Sequence, residues 1–349
     1  MKDLYNLACS LTALPSVSGF EEMAFPELKK ICEGRFDEIK TLPTGSFIGI
    51  KRCGKANAER LLLDAHLDQI GFVVSGYAGE GFLRVAAVGG IDTRVLCANE
   101  VWIYADGGRI PGVFSSVPPH LRASGDSKKP IKLEDLCVST YLEEDELKDK
   151  VRIGTPVGFK CSPELLANDR MASVQLDDKI CIAAILRAID LIKDEPPECD
   201  IYTLFAGGEE VGYKGAVTGG WDIDPHYAIA LDVGGAAGPD SPAWRQDCRI
   251  GDGGIISYSA TLDRAFTKRI IGEAEKNGIK YQLIGEPTRT GTDSMVLATV
   301  REGVTAALIS IPLRNMHTYT EVISLRDVEE TAKLLAAVIK SLGKDDVNV

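Results

Sequence analysis

The sequence lacks the features that mark several classes of protein. Its nine cysteines include no CxxC pair, and no spaced cluster of cysteine and histidine of the structural-zinc type occurs. No apolar run approaches the length of a membrane span, and the N-terminal residues contain no apolar segment of secretory length. An odd number of scattered cysteines in a long chain favours free thiols in a reducing compartment. We therefore expect a cytoplasmic protein without a disulfide framework.

The sequence also contains fewer basic than acidic residues. Lysine and arginine number 39 against 51 aspartates and glutamates, which gives a formal net charge of -12. This balance argues against nucleic acid and against an anionic membrane as partners. At 349 residues the chain exceeds the size at which single hydrophobic cores usually stop growing. We expect two domains, or one domain with a large insertion.

The segment pattern divides the chain into an α/β part and an all-β part. Short β-like runs separated by glycine and proline fill residues 71–163, which predicts a small antiparallel, barrel-like unit. Before and after it, apolar strands alternate with amphipathic helices, as in a largely parallel sheet that is covered on both faces. Residues 1–70 and 164–349 are therefore predicted to form one α/β domain, with residues 71–163 inserted into it.

Individual elements follow from hydrophobic periodicity and from capping signals. Ser18-Gly19-Phe20-Glu21 has the pattern of a capping box and predicts a helix that runs to about residue 33. Strands are predicted at residues 36–41, 47–51, 60–66, 201–206, 227–231 and 305–309. Helices are predicted at residues 3–13, 142–150, 180–192, 265–276 and 325–342.

Two adjacent carboxylates, Glu209 and Glu210, follow the apolar strand at residues 201–206 and lie between glycines. In an open α/β sheet, ligands and catalytic groups collect at the carboxyl ends of the strands. Paired carboxylates there can divide the work, because one can bind a metal while the other moves protons. Taken alone, the pair is also compatible with a solvated acidic loop.

Four other polar positions have a similar placement. His66 ends the strand at residues 60–66, and Asp68 is close enough to accept a hydrogen bond from its ring, as carboxylates beside metal-bound imidazoles do. Asp177-Asp178 precedes a helix, Asp232 follows the strand at residues 227–231, and His317 follows the strand at residues 305–309. Each has a plainer reading, namely a satisfied strand-end histidine or a helix cap.

A parallel sheet would bring these positions together at one edge. Two histidines and three carboxylates fit two divalent ions, with one carboxylate bridging, and such nitrogen and oxygen ligands suit zinc, cobalt or manganese. The candidate ligands are His66, Asp177, Glu210, Asp232 and His317. Glu209, adjacent to a ligand, is then left free to act as a general base.

The chain resembles the glutamyl/leucyl aminopeptidase family of dinuclear metallopeptidases, which assemble into tetrahedral (TET) particles. The resemblance covers nearly the whole chain, and its motifs occur in the family's order. They are His66-Leu67-Asp68-Gln69-Ile70-Gly71-Phe72, Pro118-Pro119-His120-Leu121, Leu176-Asp177-Asp178-Lys179, Glu209-Glu210-Val211-Gly212-Tyr213-Lys214-Gly215-Ala216, Leu231-Asp232-Val233 and Ile311-Pro312-Leu313-Arg314-Asn315-Met316-His317.

This resemblance implies a phosphorylase/hydrolase-like catalytic domain with an inserted PDZ-like β domain that mediates assembly. It also implies small peptides as substrates and a homo-oligomer, with a dodecamer among the particle sizes. Asp177 would bridge two ions, Glu210 and His317 would bind one of them, and His66 and Asp232 the other.

The resemblance assigns Glu209 as the general base and Asp68 as the residue that orients a ligand. The chain departs from the family pattern at four positions, none of which is a proposed ligand. These positions are Gln69 for Glu, Lys179 for Arg, Gly208 for Gln and Asn315 for Tyr. The departures bear on substrate preference and rate.

Three other functions remain open from the sequence. A related dinuclear deacylase of N-acyl amino acids would use the same ligands on a blocked substrate, so a requirement for a free α-amine separates the two enzymes. A degenerate, non-catalytic assembly protein is a further alternative, and retention of all five ligand types argues against it. A glycosidase reading from the carboxylate pairs leaves both His66 and His317 unexplained.

Overall fold

The structure, a computed structural model, describes residues 1–121, 131–160, 162–242, 248–287 and 289–342. The α-helices are α1 Lys2–Thr12, α2 Phe25–Ile31, α3 Glu144–Lys150, α4 Leu176–Leu191, α5 Lys214–Ile223, α6 Arg264–Lys276, α7 Ser294–Leu297 and α8 Leu325–Ser341. The strands are β1 Glu38–Thr41, β2 Phe47–Lys51, β3 Arg60–His66, β4 Gly71–Gly79, β5 Phe82–Val88, β6 Glu100–Ala105, β7 Gly108–Phe114, β8 Val138–Ser139, β9 Pro156–Phe159, β10 Glu164–Leu166, β11 Arg170–Ser173, β12 Asp200–Ala206, β13 Tyr227–Gly235, β14 Gly254–Ser259, β15 Tyr281–Glu286, β16 Thr305–Leu313 and β17 Glu321–Ser324.

An eight-stranded sheet with the order β1-β2-β12-β3-β13-β16-β14-β15 forms the centre of the molecule. Its four middle strands, β12, β3, β13 and β16, run parallel. The β1-β2 and β2-β12 pairs are antiparallel, and so is the β16-β14 pair at the other side. The carboxyl ends of the four parallel strands therefore meet at one edge. The predicted mixed, mostly parallel sheet flanked by helices is confirmed.

Apolar side chains cover both faces of the sheet, as its near-continuous apolar strands require. Helices α1, α4, α6 and α8 pack on one face, and α5 and α7 pack on the other. Helix α4 is buried on nearly all sides because it lies between the sheet, α1 and α8. Among the described residues, no helix is both long and apolar enough to cross a membrane.

A second apolar core lies inside a closed barrel with the strand order β4-β5-β8-β7-β6-β9. The rings of Phe114 and Phe159 pack edge-on against Phe72, with centroids 5.0 and 5.5 Å away. Closure pairs every strand of the barrel with two neighbours, so no strand is left with an exposed edge. The predicted small antiparallel, barrel-like unit is confirmed, and the exact domain boundaries stay a prediction.

The predicted second helix differs from the structure. A 3-10 turn over Glu21–Ala24 precedes α2, which ends at Ile31, and no side chain caps either element. The expected capping box does not form, because the Ser18 hydroxyl donates to the Asp68 carboxylate. The Glu21 carboxylate instead accepts from the backbone nitrogen of Gly19 at 2.9 Å. Ser18 is thus used by the candidate site and not by the helix.

Candidate metal centre

The candidate ligands converge at the carboxyl edge of the four parallel strands. Strands β12 and β3 end side by side, since Ala206 pairs with His66. Strand β13 continues to Gly235, four residues beyond the predicted end, so that Asp232 lies within the strand opposite Ser310 of β16. The five candidates are His66 at the end of β3, Glu210 after β12, Asp232 in β13, His317 after β16 and Asp177 at the start of α4.

Asp177 lies between the two histidines. Its Oδ1 is 3.1 Å from Nε2 of His66, and its Oδ2 is 3.2 Å from Nε2 of His317. The same His317 nitrogen is 3.1 Å from Oε1 of Glu210. Each oxygen of one carboxylate therefore faces a different imidazole, which is the arrangement that a carboxylate bridging two cations needs.

Two overlapping groups of donor atoms could each hold a cation. Donor atoms of His66, Asp177 and Glu210 lie within 4.8 Å of one another, and so do those of His66, Asp178 and Asp232. In the sequence, one carboxylate of the Asp177-Asp178 pair was expected to cap the helix, but no side chain of the described residues caps α4. Oδ2 of Asp178 accepts from the backbone nitrogen of His66 at 3.2 Å, whereas its Oδ1 has no hydrogen-bond partner in the described part of the chain.

Burial shifts the protonation of the acids in this cluster. It raises the pKa of Asp178 and Asp232 well above the usual range, and the nearby His66 only partly opposes this. Burial would also raise the pKa of Asp177, but hydrogen bonds with His317 and His66 hold that pKa below its usual range.

The two imidazoles shift towards the charged form. Burial alone would lower the pKa of His66, but its hydrogen bond with Asp177 and the nearby carboxylates raise it well above normal. Hydrogen bonds to Asp177 and Glu210 likewise outweigh burial and raise the pKa of His317 to about 11. Without metal, the cluster thus retains protons. No lysine or arginine is among the described residues that line its cavity.

Glu209 lines the same cavity but belongs to neither donor group. Burial raises the pKa of its carboxyl to about 8, His66 opposes this, and the charges of Asp293 and Glu210 add to it. A carboxyl group with a pKa near neutrality, beside a cluster of ligand candidates, is suited to accepting and returning a proton.

Asp68 anchors the backbone of the glutamate pair. Its Oδ1 accepts from the backbone nitrogen of Glu209 at 3.0 Å, and its Oδ2 accepts from that of Glu210 at 3.2 Å. Nδ1 of His66 lies 3.0 Å from the backbone oxygen of Asp68 but 3.7 Å from its carboxylate. The imidazole contact therefore uses a different Asp68 atom from the one predicted, and the carboxylate is engaged elsewhere.

Glu321 is a residue of the site that the sequence reasoning missed. Its Oε2 accepts from the backbone nitrogen of Asp177 at 3.1 Å, and its Oε1 accepts from that of His317 at 3.0 Å. It is 2% exposed and opens the four-residue strand β17. The one signal in the sequence was that Glu321 follows His317 by four residues. Nothing in the sequence pattern distinguished Glu321 from an ordinary charged residue on the surface.

The departures from the family pattern lie around the cluster. Gln69 and Lys179 contact one another, with the lysine Nζ 3.4 Å from the amide oxygen, 2.7 Å from Oγ of Ser16 and 3.1 Å from Oε1 of Gln175. Lys179 is fully buried, and burial lowers its pKa to about 7. The three acceptors of its amine are therefore all neutral oxygens.

The other two departures affect loop backbones. Gly208 has φ +72°, and a Cβ there would collide with the side chain of Lys214, so a larger residue would be strained and would displace the lysine. Asn315 donates to the backbone oxygen of Thr320 at 3.1 Å and thereby closes the loop that carries His317.

The remaining histidines lie outside the cluster. Nδ1 of His226 accepts from the backbone nitrogen of Arg60 at 3.0 Å, which is a structural role. His120 is exposed on the 3-10 turn Pro119–Leu121. Gly291 and Thr292 also line the cavity.

Comparison with known proteins agrees with this fold. A family model described as M42 glutamyl aminopeptidase matches residues 45–334. Lysyl aminopeptidase of Pyrococcus furiosus is 32% identical over 346 residues, which cover 98% of each chain. Among solved structures, a TET aminopeptidase from a marine sediment archaeon of the Thaumarchaeota superimposes with a TM-score of 0.91 at 27% identity, covering 98% of this chain and 97% of that one. TET1 peptidase of Pyrococcus horikoshii superimposes with a TM-score of 0.86 at 29% identity, covering 97% and 100%.

Fold, site and relatives together define a hydrolase that acts as an aminopeptidase. The chain belongs to the M42 glutamyl aminopeptidase family. That family is metal-dependent, and the described residues include acidic and histidine groups that could bind metal.

Proposed function

We propose that this chain removes N-terminal residues from small peptides and uses two divalent ions held by five side chains. Asp177 would bridge the ions, Glu210 and His317 would bind one, and His66 and Asp232 would bind the other. The observation that supports this most directly is the position of Asp177, whose two carboxylate oxygens face different histidines at 3.1 and 3.2 Å.

The donor set fits divalent ions that accept nitrogen and oxygen ligands, with zinc and cobalt the first candidates and manganese the third. The cavity lining carries several carboxylates and no lysine or arginine among its described residues, so cations must come from solution. One oxygen of Asp178 is buried and finds no hydrogen-bond partner within the described ranges, which is costly unless a cation or proton satisfies it.

The proposed chemistry is hydrolysis of the first peptide bond. Divalent ions at such a site polarise a carbonyl and lower the pKa of a water towards about 7. Glu209 accepts the proton of the attacking water and returns it to the leaving amine, consistent with its pKa of about 8 in the metal-free protein. Asp68 keeps Glu209 in place through the backbone nitrogen of that residue.

Assembly and location are part of the same proposal. The P. horikoshii relative is described as assembling into a tetrahedron or a large octahedral shell, and we propose a homo-oligomer of related design for this chain, with a dodecamer among the candidate sizes. The eight described free cysteines suit a reducing compartment such as the cytoplasm.

Metal analysis combined with a substrate pair tests the proposal. The protein is stripped with a chelator, reloaded with zinc, cobalt or manganese, and assayed on leucyl-p-nitroanilide and on its N-acetyl derivative. We expect about two ions per chain and hydrolysis of the free amine only. Release of acetate from the acetylated substrate, with no p-nitroaniline from the free amine, would support the deacylase instead. Protein that takes up no metal on reloading but still assembles would support the non-catalytic alternative.

A further inference from the structure

The candidate metal cluster occupies one end of a cavity of about 360 Å³, and a different surface forms the other end. Strands β16, β14 and β15 supply that second surface, on the face of the sheet that α5 and α7 cover further along. Its side chains are aliphatic or carry hydroxyl groups, except for one glutamate. They include Ile255, Ser257, Ile284, Glu286, Leu308 and Ser310.

Strand register places Glu286 at the corner of this surface that is diagonal to the cluster. Asp232 pairs with Ser310, which pairs with Ile255, which pairs with Gln282 of β15. Glu286 is four residues beyond Gln282, and residues separated by an even number share a face of the sheet. Glu286 is therefore about 14 Å from Asp232 across the strands, which is three strand spacings. Along the strands the two are about 13 Å apart, which is four residues.

Glu286 is the one charged residue among the described lining residues at this end. It is half-buried, and the described lining contains no lysine or arginine. Two arginines lie in its neighbourhood, namely Arg289, three residues further along, and Arg264, which borders a second cavity that Glu286 also borders. Neither arginine forms an ion pair with Glu286 within the described residues.

We propose that Glu286 makes the enzyme prefer peptides whose N-terminal residue is lysine or arginine. The inference rests on the proposed function, in which the α-amino group and first carbonyl of the peptide lie at the metal cluster. The N-terminal side chain then points along the cavity over Ser310, Leu308 and Ser257 towards Glu286.

The distance between the metal cluster and Glu286 favours substrates with a long N-terminal side chain. Glu286 lies three strands away from Asp232. A substrate with a short N-terminal side chain therefore does not reach Glu286, whose carboxylate stays hydrated and contributes nothing to binding. Lysine and arginine carry their charge at the end of a long flexible stem, and this stem can pack on Ile255, Ile284 and Leu308. An N-terminal glutamate would meet an acid at the far end and is disfavoured.

Kinetics on matched substrates test the inference with the metal-loaded enzyme. The comparison uses kcat/KM for lysyl-, methionyl- and glutamyl-p-nitroanilide, because methionine matches much of the lysine stem without its charge. We expect the lysyl substrate to exceed the methionyl one by about fivefold, which corresponds to the upper end of the range for an exposed ion pair. Glu286→Gln should bring the two to near equality through a higher KM for the lysyl substrate, and Glu286→Lys should favour the glutamyl substrate.

Glu302→Gln is the matched control, since it removes the same charge at an exposed position outside the cavity and should keep the lysyl preference. An unchanged lysyl-to-methionyl ratio in Glu286→Gln, with the methionyl substrate still cleaved, would overturn the role of Glu286 alone. A wild-type enzyme without lysyl preference would do the same. Failure to cleave any of the three substrates after metal loading would overturn the proposed function, and the inference with it.

Discussion

Two sets of buried polar side chains meet at the carboxyl edge of the central sheet, and they differ in what satisfies them. In the candidate metal cluster, acids contact imidazoles, and one oxygen of Asp178 has no hydrogen-bond partner among the described residues. In the surrounding set, Asp68 and Glu321 accept from backbone nitrogens, and Lys179 donates to neutral oxygens. We call this second set the supporting residues.

The difference indicates which groups depend on metal. The supporting residues have protein partners already, so they can hold the loops in place before any ion binds. The cluster has donors in position but a surplus of acids, and protons occupy it when cations do not. Substitutions in the cluster should therefore act on metal binding or turnover, whereas those in the supporting set should act on geometry or stability.

Asp177→Asn should have the largest effect. The substitution removes the carboxylate that faces both His66 and His317, so we expect metal to be lost from both positions and activity to fall at least about a thousandfold. Metal content by mass spectrometry and leucyl-p-nitroanilide hydrolysis measure the two effects. Circular dichroism provides the control, because the fold should persist. An Asp177→Asn enzyme that is active and still binds two ions would show that Asp177 is not the shared ligand.

Glu209→Gln should separate turnover from metal binding. The variant keeps the shape of the side chain and the backbone contact with Asp68, but the amide cannot accept the water's proton. We expect metal content close to wild type and a loss in kcat of about 10²- to 10⁴-fold. Near-normal turnover on an aminoacyl-anilide would contradict the assignment of Glu209 as the proton carrier.

The positions of the candidate ligands could be predicted from the sequence because each follows or lies within an apolar strand or precedes a buried helix. Because the carboxyl ends of parallel strands meet at one edge of the sheet, the predicted sheet was sufficient to bring these positions together. Their supporting partners could not be predicted in the same way. Ser18 was interpreted as a helix cap, and Glu321 occurs in a short strand that carries no strong periodicity. Such contacts depend on loop conformations that join distant parts of the chain.

The fold shows the same division between long and short elements. Long apolar strands and amphipathic helices were predicted within a few residues, including α8 and β12. Strands β14 and β15 were missed, and so was the small sheet β10-β11-β17. Strand β15 lies at the sheet edge with only partly buried or exposed residues, so it lacks the apolar signal of the central strands.

Asp68→Asn tests the supporting residue that binds the backbone of the Glu209-Glu210 pair. The amide keeps one acceptor oxygen, and that oxygen is neutral. One of the two backbone nitrogens, of Glu209 or Glu210, therefore loses its acceptor, and the other keeps only an uncharged one. We expect a loss of about 10- to 100-fold in activity or metal affinity, the usual range for residues behind metal ligands. Ser18→Ala removes only the neutral donor to the same carboxylate and should cost less. Equal losses in both variants would show that the carboxylate does not act through the glutamate backbone.

Lys179→Met should change stability while leaving turnover close to wild type. The pKa of Lys179 is about 7 in the folded protein against 10.5 for an ordinary lysine, so between these values the unfolded chain binds more protons than the folded one. Wild-type stability should therefore rise with pH across that window, by up to about 1.4 kcal/mol per unit, and the Met variant should lack this rise. Urea unfolding at pH 7, 8 and 9 measures the slopes, with Lys193→Met as the exposed control. Parallel slopes for wild type and Lys179→Met would mean that the buried amine keeps its proton. Lys179 would then carry a positive charge beside the cluster. The supporting residues would differ less from the metal cluster than we infer, because one of them would also be charged.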